Sequence, residues 1–199
     1  DVIVDGDDLL VTSAPIDTVC RSNTFNAIAL DKESSQLKRP IFFSGADEFN
    51  DLICGRLPQM IHNFTESNIL GSNRYLDLFI SNMEEGDKIV LFNFDSVAYS
   101  NWDDQLKTSL EEIGVDPADL EGLIDGQPLI ISGEKGLQPG QATILKEDGT
   151  TLPVKQQALR LEQEIEGSFT SGSIQLEPIG PAKNWNELDF GFTEEDADS

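Results

Sequence analysis

The chain has 199 residues, of which 13 are basic and 37 acidic, so its formal charge is −24. A field of that sign repels nucleic-acid phosphates and anionic headgroups, which excludes a nucleic-acid binder. A 38% hydrophobic content still allows a core, the length fits one domain with extensions, and apolar runs such as Ile89-Val90-Leu91-Phe92 fall far short of the ~20 residues that a membrane-spanning helix needs.

The chain opens on Asp1-Val2-Ile3-Val4-Asp5, with neither an initiating Met nor the layout of a signal peptide, and closes on the acidic run Thr193 to Ser199. We therefore expect a piece of a longer protein: an N-terminal β extension or the end of a preceding domain over 1–22, a main domain over 23–190 and an acidic linker over 191–199. Val2-Ile3-Val4 and Leu9 to Thr12 flank Asp5-Gly6-Asp7-Asp8 and predict a hairpin. The carboxylates of that turn suit calcium chemistry but lack the twelve-residue loop, so a plain turn is the better reading and no metal is expected. Asn23 to Asp31 and Pro40 to Phe43 are strand candidates. Gln59 to Phe64 alternates, placing Met60, His62 and Phe64 on one face of a further strand.

Ser72 is a candidate N-cap for a helix whose stripe is Tyr75, Leu76, Phe79, Ile80 and Met83, ending by Gly86. Lys88 to Phe94 predicts a central strand covered on both faces. A second helix is expected from Asn101, with Asp103 and Asp104 at its positive end, Leu106, Leu110 and Ile113 buried, and Gly114 as its stop. Asp116-Pro117 resembles a cap and the first position of a short helical turn. Leu129 to Ser132 predicts a strand, with turns at Gly133, Gly136 and Gly140. Ala142 to Leu145 and Leu152 to Val154 around Asp148-Gly149 predict a hairpin. Leu159, Leu161 and Ile165 fit a two-residue period and Ala158, Leu161 and Ile165 a helical one, and strand is favoured. The order of elements argues for an α+β fold with a mixed sheet and two main helices.

The supply of catalytic residues is thin. His62 is the only histidine, and its place beside Met60 and Phe64 favours a packed side chain over a Cys-His nucleophile pair. There is no Gly-x-Ser-x-Gly elbow, phosphate loop or dinucleotide fingerprint, so neither enzyme activity nor a cofactor is expected. Asn63-Phe64-Thr65 matches the three-residue glycosylation sequon. Trp102 and Trp185 could offer stacking faces, though core anchors are the commoner use of such residues. Cys20 and Cys54 allow one disulfide or two unpaired thiols, and the sequence leaves both open.

Several runs, taken in order, carry a resemblance. They are Cys54 to Gln59, Gly86 to Phe92, Trp102 with Leu106, Leu110 and Ile113-Gly114, Asp125-Gly126-Gln127-Pro128-Leu129-Ile130-Ile131, Gly133-Glu134-Lys135-Gly136, Thr170-Ser171-Gly172, and Ile179 to Ala182 with Trp185. Together they resemble the interleukin-like EMT inducer domain, in the version found in large Bacteroidetes surface proteins similar to the PorU-type, gingipain-like peptidases of type IX secretion. The similarity spans about Asn23 to Leu188. It implies a β-β-α type module, exported to the cell surface, that accompanies a peptidase domain without performing catalysis itself. Its implied partners are neighbouring domains of a larger chain or type IX secretion components. Some relatives of this family bind sugars, which makes a carbohydrate-binding module the alternative. The ligand surface would then comprise Asp95, Tyr99, Trp102 and Asp125, although Asp125 to Leu129 lacks the Arg and Trp of the sugar-binding members. Export would favour a bridge between Cys20 and Cys54.

Overall fold

The computed structural model describes residues 2–4, 7–10, 23–38, 61–72, 74–94, 96–147, 149–153 and 156–165, all of which fall within the compact unit Asp1–Phe169. Strands β1 (Val2–Val4) and β2 (Asp7–Leu10) form their own antiparallel pair, with β2 starting earlier than the apolar residues suggest. The main sheet contains β3 (Thr24–Leu30), β4 (His62–Thr65), β5 (Lys88–Phe94), β6 (Ile130–Glu134) and β7 (Thr143–Leu145), in the order β4-β3-β5-β6-β7. Helices α1 (Glu66–Leu70), α2 (Tyr75–Ser81) and α3 (Asp104–Glu111) complete an α+β architecture. Among the described residues no helix is long and apolar enough to cross a membrane.

Every pairing in the five-stranded sheet is antiparallel, which corrects the expectation of a mixed sheet. The continuous apolar run of β5 suggests a strand inside parallel βαβ units. Here it arises because β5 lies at the centre of an antiparallel sheet, with Ile89 and Leu91 buried and Val90 and Phe92 half-buried. On one face Phe25, Ala27, Ala29, Ile89, Leu91 and Ile131 pack against Leu76, Phe79 and Ile80 of α2 and Leu106 and Leu110 of α3. The pleat sends Thr24, Asn26, Ile28 and Leu30 to the other face, and they too are buried. On that second face the Ser132 hydroxyl donates to Gln163 Oε1 at 2.7 Å.

The helix ends depart from the sequence reading. Arg74, not Ser72, is the N-cap of α2, in the left-handed conformation at φ 48°. Asp103, not Asn101, caps α3 by accepting from the Leu106 N–H, because Tyr99–Asn101 is already wound into a 3-10 turn. The short α1 was not anticipated. It begins with a cap in which Asn68 Oδ1 accepts from both the backbone N–H and the hydroxyl of Thr65. Asp116 caps the 3-10 turn Pro117–Leu120 as expected. Gly114 stops α3 at φ +90°, a conformation costly for a residue with a Cβ.

Three further expectations change. Gly133 lies inside β6 rather than in a turn after it; a Cβ there would sit 2.2 Å from the Ile113 carbonyl oxygen. Among the described residues no strand follows Gly149: residues 149–153 are irregular and exposed, and Pro153 cannot donate to a ladder. Between 157 and 161 burial alternates as a two-residue period predicts, yet no strand ladder forms. Pro40 to Phe43, Asp148, Val154 and the domain boundaries near 22 and 190 lie outside the described residues.

A buried carboxylate fastens one end of the sheet. Asp87 is fully buried, and its Oδ2 accepts from Lys38 Nζ at 2.6 Å and from the Glu84 N–H at 3.0 Å. Its Oδ1 accepts from the Lys32 N–H at 3.4 Å, and its carbonyl accepts from the Lys135 N–H at 2.8 Å. The turn before β5 is thereby tied to the turn after β3 and to the end of β6. Lys135 continues the chain of contacts by donating to the Ile80 carbonyl at 3.0 Å and pairing with Glu112. The Gly133-Glu134-Lys135-Gly136 run thus serves as a clasp between β6, α2 and α3.

Candidate functional site

The loop after β5 brings together three of the four residues expected to form a ligand surface. Asp95 lies outside the described residues. Tyr99 and Trp102 are only 6% and 8% exposed, which removes the exposed aromatic face that sugar stacking requires. Their rings meet edge to face at 5.0 Å, and Trp102 meets Phe25 in the same manner at 5.3 Å. The Tyr99 hydroxyl donates to the Gln127 carbonyl at 2.8 Å. Burial, aided by the nearby Asp125 charge, pushes that phenol well above its ordinary pKa. Asp125 accepts from the Ser100 N–H at 2.9 Å and the Ser100 hydroxyl at 2.8 Å. The Gly126 N–H donates to the Val97 carbonyl at 2.9 Å. These contacts stitch loop 96–102 to loop 124–127.

A second knot holds α2 against α3. Arg74 grips Asp103 with both terminal guanidinium nitrogens, at 2.6 and 2.9 Å, and donates from Nε to Asp77 at 2.6 Å. Gln105 donates to the same Asp77 oxygen at 3.1 Å. The hydrogen bonds from Arg74, then that from the Leu106 N–H, hold the Asp103 carboxyl below its ordinary range. The ion pair therefore strengthens the cap of α3. Sequence reasoning assigned Asp103 to the helix dipole but missed Arg74, because nothing local marks a left-handed arginine as a cap.

Beside the first knot lies a small pocket of about 60 Å³. Phe25, Phe64 and Trp102 line it with Val97 from the loop, and Glu66 in the first turn of α1 also borders it. Asn101 donates to Glu66 Oε1, joining the carboxylate to the 3-10 turn. This pocket was not foreseen, since it depends on the unanticipated α1. The pattern Thr65-Glu66-Ser67-Asn68, a capping residue answered three positions later by an amide, is the signal that could have found it.

His62 is 3% exposed and its ring lies 4.5 Å from that of Phe79. Burial lowers its pKa to about 4, so the ring is neutral at pH 7. Its Nε2 is buried without a hydrogen-bond partner. The packed reading of His62 therefore matches its surroundings. Asn63 of the sequon is also buried, with both amide atoms unpartnered. Cys20, Cys54 and Trp185 lie outside the described residues, and Asp5 and Gly6 of the first turn do as well. Among the described residues no three His, Cys, Asp or Glu side chains converge into a metal site.

Comparison with known proteins found no matching family model, and no curated protein matches the chain.

Proposed function

We propose that the chain is a non-catalytic accessory and interaction domain of an exported, type IX secretion-linked cell-surface protein. Its interleukin-like β-β-α character and its surface location rest on the resemblance. The observation that carries the reading of a contact module over a sugar-binding one is the commitment of Tyr99, Trp102 and Asp125 to internal packing and hydrogen bonds. A sugar site needs an aromatic face open to water, and the rings here are spent on one another and on Phe25. The charge of −24 fits a surface that meets cationic partners and stays apart from anionic ones.

The test uses antibodies raised against this domain on intact cells that produce the parent protein, in secretion-competent and type IX-deficient strains. Labelling of competent cells alone is the expected result. Equal labelling of both strains, or signal only after lysis, overturns the assignment. Calorimetric titration with a glycan panel addresses the alternative: saturable heat that disappears in an Asp125→Ala variant would put the sugar-binding reading first.

A further inference from the structure

We propose that His62 and the helix above it form an acid-operated latch: proton uptake by the ring releases α2 from β4 and uncovers the apolar surface between them. Alternation along β4 sends His62 and Phe64 to the helix-bearing face of the sheet, where the cross-strand partner of His62 is Ala27. So small a partner leaves the ring to be covered from above. Phe79 of α2 covers it, with its own ring 4.5 Å from His62 and 5.7 Å from Phe64. The imidazole Nε2 has no hydrogen-bond partner in that position. An imidazolium donates from both ring nitrogens and carries a full charge, so a proton taken up here would leave a buried cation with an N–H that nothing accepts.

The described elements packed around His62 bring no counter-ion to it. β3 and the rest of β4 carry no ionisable side chain. On α2 the ionisable groups are Tyr75 and Asp77, and the Asp77 carboxylate accepts from Arg74 and Gln105. On α1 there is Glu66, which is exposed and accepts from Asn101. Burial therefore acts on the ring unopposed and lowers its pKa to about 4. The element that yields is α2. Its seven residues are too few to stand alone, since isolated helices under about 12–15 residues are marginal in water. It is held by packing, by the grip of Arg74 on Asp103 at its start and by Lys135 on the Ile80 carbonyl near its end. β3, β5 and β6 each pair with a strand on both sides, so water reaches His62 at least cost through α2. Release uncovers Phe64 and Phe79, an apolar surface that the neutral form keeps closed.

The experiment measures amide hydrogen exchange of the whole chain at pH 7 and pH 5, corrected for the intrinsic pH dependence of exchange. With a ring pKa of about 4 in the closed form and 6.5 in the open one, the opening constant of α2 should rise about 20-fold between those pH values, while amides of β5 and β6 keep their protection. At pH 5 the Asp103 carboxyl, held low by Arg74, stays ionised, so the change belongs to His62. In His62→Leu the rise should vanish. A second readout needs no variant: His62 is the only histidine, and its ring Cε1–H resonance should titrate together with the loss of α2 protection. A rise in His62→Leu as large as in the parent, equal losses in α2, β5 and β6, or a ring that titrates near 6.5 with α2 still protected overturns the proposal. The latch does not rest on the cell-surface assignment, and neither result decides the other.

Discussion

The clasp at Asp87 makes a quantitative prediction. In Asp87→Asn the amide keeps the shape of the carboxylate but loses the charge, and its NH2 must replace one oxygen. At the Oδ2 position it would oppose Lys38 Nζ and the Glu84 N–H, at 2.6 and 3.0 Å; at Oδ1 it would oppose only the Lys32 N–H, at 3.4 Å. The variant therefore keeps its oxygen at Oδ2, gives up the weaker bond and turns a charge-assisted contact into an ordinary one. Hydrogen bonds to charged groups contribute about 1.5–3 kcal/mol, so the cost should be about 2 kcal/mol, a Tm lowered by roughly 4–8 °C for a domain of this size. Lys38 stays near Asp31 and Glu84, at 4.0 and 3.7 Å, and is not stranded by the change. Urea unfolding of Asp87→Asn, Lys38→Met and the double variant should give a coupling of about 1–2 kcal/mol. Burial of Asp87 should make that coupling persist at high salt. Additivity within about 0.3 kcal/mol would refute the reasoning.

Two further outcomes follow from buried groups. His62 has its pKa lowered from 6.5 to about 4 by burial, so between those values the unfolded chain binds more protons than the folded one. Its contribution is intact above about pH 6.5 and is lost as pH falls towards 4; the loss reaches about 3 kcal/mol, and urea midpoints of His62→Leu should depend less on pH across that window than those of the parent. Gly133→Ala places a Cβ 2.2 Å from the Ile113 carbonyl oxygen, a backbone atom that cannot rotate away. Thermal melts should show a destabilisation of about 2 kcal/mol or more, and a neutral substitution would mean that α3 shifts freely against β6.

Periodicity carried much of the fold. The residues Asn23 to Asp31 and Lys88 to Phe94 predicted β3 and β5, and the stripes Tyr75 to Ile80 and Leu106 to Ile113 lie in the core. Strand direction was not legible, because a buried apolar run reads alike in parallel and antiparallel sheets. Helix starts were misplaced where a tertiary partner chose the cap: Arg74 is gripped by Asp103, 29 residues away, a contact with no local trace. The strand expected after Asp148-Gly149 is absent among the described residues, where 149–153 are irregular and exposed. At the candidate site, residue types pointed to the right corner of the molecule and to the wrong exposure. Tyr99 and Trp102 look the same in sequence whether they face water or Phe25.

The register of β3 has a consequence for how the chain reaches this structure. Its partners on β5 run from Leu30 with Lys88 to Thr24 with Phe94, so each contact closes a loop of roughly 60–70 residues before any ladder energy is gained. The β3–β4 and β5–β6 pairings close shorter loops, of roughly 35–45 residues, so each can condense before β3 joins β5. A topology built on such distant pairings folds slowly for its size, in milliseconds to seconds rather than microseconds. During synthesis, Ile28 and Leu30, which lie beyond the reach of β4, emerge well before Lys88 to Phe94 exist to receive them. That interval is when the chain is most open to association with other chains or capture by a chaperone.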